Sequence, residues 1–118
     1  MGKKILVIDD DEAILESIQI ILEEEEYEVV THTSMLDNEA VVKISPNLII
    51  LDIFLSGSDG RDMAKQLKHD PQTAKIPIIV ISALPSAQAS AEASGADTFL
   101  PKPFDIYNLL ELVRKYME

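Results

Sequence analysis

The chain contains no cysteine, so disulfides, thiolate nucleophiles and cysteine-ligated zinc are all excluded. Imidazole is nearly as scarce: His32 and His69 are the two histidines. They stand far apart without metal-ligand spacing, and each reads as a satisfied or solvated side chain. Any bound metal must then rest on carboxylates. No uninterrupted apolar run approaches the roughly 18 residues of a membrane span, so no membrane partner is expected. The opening MGKKILVIDD runs directly from a strand-like segment into acid without a signal-peptide cleavage site, and Leu6 breaks the myristoylation pattern. A cytoplasmic location is expected. Basic residues are also few, 10 Lys and Arg against 21 Asp and Glu for a net charge of -11. That balance disfavours direct nucleic-acid binding, which needs a basic face to neutralise phosphates, and points to cations and proteins as partners.

What remains is a pattern of apolar runs separated by helical stretches. At 118 residues the chain is long enough to bury a core and fits one domain over 1–118. Short unalternating runs at 5–8, 28–30, 47–52, 76–82 and 98–100 read as strands covered on both faces. Residues 12–25 read as a helix, with Asp11 as N-cap and Ile14, Ile18, Ile21 and Leu22 at helical spacing; the acidic run at 23–26 is its solvated end. Helices are also expected over 38–44, 60–69 and 105–117, the last capped by Asp105. On the last, Leu109, Leu110, Val113 and Met117 form the expected buried stripe, with Tyr107 and Leu112 at its edge. The Ala/Ser stretch 86–94 predicts a short helix with little to anchor it. Alternation of strand and helix argues for βαβ units: an α/β fold, doubly wound, with a five-stranded parallel sheet flanked by helices on both faces.

Ligands of such sheets sit outside the carboxyl ends of the strands. Asp9 and Asp10 follow the first strand, Asp52 ends the third, Ser82 the fourth, and Lys102 lies just past the fifth. Any one of these could simply be a cap, a turn residue or a solvated charge. Their coincidence at four strand ends argues for a shared site. Hard oxygen ligands suit Mg²⁺. A carboxylate beside such a metal can attack phosphorus, with an ammonium and a hydroxyl stabilising the transferring group.

The chain resembles the receiver domains of two-component response regulators, similar to the single-domain chemotaxis regulator. The resemblance rests on IDDD at the first strand end, LDIFLSGSDG with Gly60 eight residues beyond Asp52, ISA at 81–83, GAD at 95–97 and KPF at 102–104. It implies a flavodoxin-like strand order of 2-1-3-4-5 and a switch phosphorylated on Asp52 by a sensor histidine kinase or phosphotransfer protein. It further implies that Asp9, Asp10, Asp52 and the Phe54 backbone carbonyl hold Mg²⁺, with Mn²⁺ able to substitute. Ser82 and Lys102 would contact the phosphoryl group, Ser82 and Phe99 would form the switch pair, and the Lys102–Pro103 bond would be cis. Asp11 fits better as a helix cap than as a ligand.

Some positions depart from the family. Leu55-Ser56 stands where Met-Pro is usual, which predicts a less rigid loop. Phe99 replaces the commoner Tyr, leaving a switch that depends on packing. Phe54 and Leu84, two residues beyond Asp52 and Ser82, are apolar, which predicts slow self-hydrolysis of the acyl phosphate. The span from Ser82 to Lys102 is slightly shorter than usual, and its helix carries no basic residue to join Asp97 and Arg114 in the ion-paired dimer of many DNA-binding regulators. A monomer is therefore expected before phosphorylation. Two other classes remain open. Asp9 and Asp11 form a D-x-D like that of haloacid-dehalogenase phosphatases, although Ala13 stands where that motif wants Thr or Val and Asp52 is left without a role. An unphosphorylated adaptor is the other, against which the intact five-residue site argues. With no linker or output segment in the chain as given, its output is expected to run through contact with an unknown protein.

Overall fold

A computed structural model describes residues 3–117, with Pro85 described by its backbone alone. The expected domain limits at 1 and 118 lie outside the described residues. In chain order the elements are β1 (Lys4–Ile8), α1 (Glu12–Glu24), β2 (Glu28–His32), α2 (Asn38–Ile44), β3 (Leu48–Asp52), β4 (Phe54–Leu55) and β5 (Ser58–Asp59). They continue with α3 (Gly60–His69), β6 (Ile78–Ser82), a 3-10 turn (Pro85–Ala87), α4 (Gln88–Ala93), β7 (Thr98–Pro101) and α5 (Ile106–Met117). The five long strands pair in parallel in the order β2-β1-β3-β6-β7. Counting only those strands, this is the expected order 2-1-3-4-5. Chain direction across the sheet reverses between β1 and β3, and Asp9 and Asp52 come from the ends of those two strands.

Alternate residues of each strand point to opposite faces, and this divides the core in two. Leu6, Ile8, Ile49, Leu51, Ile78, Val80 and Phe99 pack with residues of α2, α3 and α4. Ile5, Val7, Leu48, Ile50, Ile79, Ile81 and Leu100 pack with α1 and α5. Every residue of β3 and β6 is buried, which accounts for apolar runs without polar alternation.

The helices form where capping and periodicity predict them. Asp11 caps α1 by accepting from the amides of Ala13 at 3.0 Å and Ile14 at 3.3 Å. The buried stripe of α1 is Leu15, Ile18 and Leu22, with Ile14 and Ile21 half-buried beside it. At roughly 100° per residue those three fall within about 60° of one another, whereas Ile14 and Ile21 lie on the shoulder. On α5 the stripe is Leu109, Val113 and Met117; Leu110 sits at its edge with Leu112, and Tyr107 is fully outside. The Asp105 carboxylate accepts from the Tyr107 amide. The Ala/Ser stretch divides into the 3-10 turn and the six-residue α4, which lacks a side-chain N-cap and buries only Ala91. Among the described residues no helix is long and apolar enough to cross a membrane.

Replacing Asp11 with Ala should remove the α1 cap at a cost of about 1 kcal/mol, seen as a lower urea midpoint with an unchanged slope. Divalent-cation affinity should survive in that variant, because Asp11 turns into the helix.

Candidate functional site

Four of the five residues singled out at the strand ends, Asp9, Asp10, Asp52 and Lys102, converge. Asp9, completely buried, directly follows β1, and Asp10 beside it is exposed. Asp52 closes β3 and Ser82 closes β6, both buried, and Lys102 follows β7. Carboxylate oxygens of Asp9, Asp10 and Asp52 lie within 4.8 Å of one another. Lys102 reaches back between two of them, its Nζ donating to Asp9 Oδ2 at 2.9 Å and Asp52 Oδ2 at 3.3 Å. The Lys102–Pro103 peptide is cis, as the resemblance implied.

Electrostatics separates the members of this cluster. Burial, then the neighbouring Asp9 charge, pushes the Asp52 carboxyl up to about 6, with Lys102 opposing both. Burial of Lys102 favours loss of its proton, but its hydrogen bond to Asp9 and the charges of Asp52 and Asp9 outweigh it and hold the ammonium above its ordinary range. Asp9 also accepts from the Asp11 amide at 2.9 Å. Asp10 faces solvent, and the Ser56 hydroxyl donates to its Oδ2 at 3.1 Å. The three carboxylates offer oxygen ligands, and the exposed Asp10 opens the trio to solvent, which fits a hard divalent cation.

The segment after Asp52 forms a short paired hairpin. β4 and β5 pair antiparallel around a two-residue turn at Ser56-Gly57. Gly57, at φ +74°, takes the second central position, as a type II turn requires. Asp59 then caps α3 through the Arg61 amide, and its carboxylate also holds the Arg61 guanidinium at 2.7 Å. At the foot of the hairpin, a Cβ on Gly60 would run into the backbone carbonyl oxygen of Asp52. Only glycine lets α3 begin so close to the strand that carries the carboxylate.

Three further positions named from the sequence lie outside this hydrogen-bonded group. The Ser82 hydroxyl accepts from the Leu84 amide at 3.1 Å. Phe99 is 9% exposed and shares a buried cluster with Ala87 and Ala91. Phe54 lies in the hairpin with its side chain 46% exposed. Two contacts were not legible in the sequence: the Ser56–Asp10 hydrogen bond, and a second one from Arg61 Nη1 to Ser90 on α4 at 2.9 Å. The only hint of the first was a hydroxyl in a turn directly downstream of an acid. Asp97 and Arg114 are held within the chain, Asp97 by Lys68 at 3.0 Å and the Ile78 amide, and Arg114 by Glu25 at 2.7 Å. His69 contacts the Lys65 carbonyl oxygen, and neither histidine belongs to an acidic or metal-ligating group among the described residues.

A family model for the response regulator receiver domain matches residues 5–114. The chain belongs to that family. This receiver domain is 39% identical over 114 residues to the DNA-binding dual master transcriptional regulator RpaA of Synechocystis, an alignment covering 94% of this chain and 47% of that protein. It is 37% identical to the phosphate regulon regulator PhoB of Pseudomonas aeruginosa over 107 residues, 88% of this chain and 47% of the relative. The chain thus spans about half the length of these curated relatives. Among solved structures, a response regulator receiver domain protein from Methanospirillum hungatei matches with a TM-score of 0.88 and 28% identity, covering 99% of this chain and 94% of that one. The receiver domain of a signal transduction histidine kinase from Syntrophus aciditrophicus matches at 0.86 and 30%, covering 98% and 90%.

The raised Asp52 pKa carries a pH dependence. Because the native state holds this proton up to about pH 6 and the unfolded chain only to about 3.8, burying Asp52 costs stability that grows as pH rises through that window. In metal-free buffer, Asp52→Asn should be more stable than the parent at pH 8 by on the order of 2 kcal/mol. The difference should vanish near pH 4, as read by urea denaturation across the pH range.

Proposed function

We propose that this receiver domain is a phosphorylation-controlled switch that accepts a phosphoryl group on Asp52 in a Mg²⁺-dependent reaction. The observation that carries the reading is the Lys102 ammonium bridging Asp9 and Asp52 beside a trio of carboxylates at the sheet's C-terminal edge. Asp9, Asp10, Asp52 and the Phe54 backbone carbonyl would hold the cation, and Mn²⁺ should substitute. When bound, Mg²⁺ supplies positive charge that offsets repulsion among the acids and polarises the phosphoryl group.

The donor would be a phosphohistidine on a sensor kinase or phosphotransfer protein. An Asp52 oxygen attacks phosphorus, the phosphorus–nitrogen bond breaks, and its electron pair remains on the imidazole. Lys102 would trade its contact with Asp52 for a phosphoryl oxygen. Ser82, whose hydroxyl oxygen already accepts from Leu84, would donate its proton to another. An apolar cleft of about 360 Å³ lined by Ile14, Ala83, Pro103 and Phe104 opens beside Lys102, which suits the approach of a donor side chain.

Output would run through Phe99. Its neighbours Ala87 and Ala91 are small, so a pull on Ser82 can change how the ring packs and how α4 sits, which alters the face offered to an unknown output protein. Asp97 and Arg114 are already engaged within the chain, which favours a monomer before phosphorylation. The location would be cytoplasmic, where such kinases present their donor groups. The domain is a switch rather than an enzyme, with self-phosphorylation and autodephosphorylation as its own chemistry.

Incubation with Mg²⁺ and a small acyl phosphate donor should add one phosphoryl group per chain by intact-mass measurement, and Asp52→Asn should abolish the addition. Failure of the parent chain to become modified would sink the reading, and steady turnover of phosphomonoesters would favour a phosphohydrolase. The flanking apolar side chains, Phe54 at 46% and Leu84 at 47% exposure, should restrict attacking water. The phosphorylated protein should therefore persist for minutes or longer in Mg²⁺ buffer, and decay within seconds would contradict this.

A further inference from the structure

Of the three clustered acids, Asp10 is held differently from its neighbours. Asp9 is buried and fixed by Lys102 and the Asp11 amide, and Asp52 is buried and fixed by Lys102. Asp10 faces solvent and is held by a hydrogen bond from the Ser56 hydroxyl at 3.1 Å. A free aspartate on a loop samples several rotamers, and gathering it onto a cation costs conformational entropy. A hydroxyl donating to one carboxylate oxygen narrows that freedom and leaves lone pairs for a metal on the same group.

The position of Ser56 makes this contact specific. It sits at the first central position of the turn closed by the Leu55–Ser58 pair, with Gly57 at φ +74° completing it. The hairpin is anchored below by Gly60, whose amide donates to the Ile53 carbonyl at 2.7 Å. Asp59 and Arg61 hold its far end. The hydroxyl is therefore delivered from a braced element to a carboxylate on a different loop, 46 residues away in sequence. It joins the β1–α1 loop to the hairpin that carries Phe54.

We infer that Ser56 is a positioning residue for divalent-cation binding: its hydroxyl holds the Asp10 carboxylate toward Asp9 and Asp52 and so raises the affinity of the acid trio for Mg²⁺. The inference rests on the reading of the trio as a cation site, and the test separates the two. Mg²⁺ affinity is measured by calorimetric titration, with Mn²⁺ followed in parallel by the signal of the free ion. Ser56→Ala should weaken binding about fivefold, less than the roughly 10–100-fold seen on removing outer partners of metal ligands, because both groups face solvent. Ser56→Thr, which keeps the hydroxyl, should restore parental affinity, and Ser58→Ala on the same hairpin should leave it unchanged. Unaltered affinity in Ser56→Ala overturns the inference, as does an equal loss in Ser58→Ala or no recovery with Thr, since either would place the effect in the loop backbone. If the parent chain itself binds neither cation, the cation-site reading falls as well.

Discussion

Repulsion among carboxylates governs this end of the molecule. Two charges about 4 Å apart repel by roughly 1 kcal/mol in water and by roughly 4 kcal/mol at the effective dielectric near a protein surface. Asp9 and Asp52 are almost completely withdrawn from solvent, which makes water a poor remedy. Lys102 is the internal remedy, touching both, yet one ammonium balances only one of the three acids. The site is left rich in negative charge and short of positive charge, a condition that a divalent cation would relieve.

The parallel sheet makes this concentration possible. Every strand of the main sheet runs the same way, so the polar residue that ends each apolar run arrives at the same edge. β1 and β3 are direct neighbours in register from Ile5–Leu48 to Ile8–Leu51, and the residues that follow are forced together. The hairpin beyond Asp52 then closes over the edge, and Gly60 permits that closure by leaving the Asp52 carbonyl unobstructed.

The main strands and helices were legible because their signals are local: unbroken apolar runs, Asp11 and Asp105 at helix starts, and helical spacing between them. The site was legible for a related reason, since in a parallel sheet the linear position of Asp9, Asp52, Ser82 and Lys102 already states their place in space. Contacts that join separate loops carried no such mark. The bond from Ser56 to Asp10 depends on how a two-residue turn is aimed, and the reach of Arg61 to Ser90 depends on where α4 comes to rest. That Ser56 and Gly57 build a paired turn after Asp52 was likewise not marked in the sequence. The α1 stripe was displaced toward Leu15 because a run rich in isoleucine offers several apolar arcs, and only packing against the sheet chooses among them.

The strand alternation that splits the core into two clusters also insulates one set of energies from another. Phe99 belongs to the face with α3 and α4, whereas α1 and α5 are seated on the opposite face by Leu15, Ile18, Leu109 and Val113. A change in ring packing is thus felt among the alanines of the α4 side without loosening the layer that contributes much of the fold's apolar burial. Substitutions at 87 and 91 would therefore act first on the Phe99 side of the sheet, with the α1 and α5 layer on the far side.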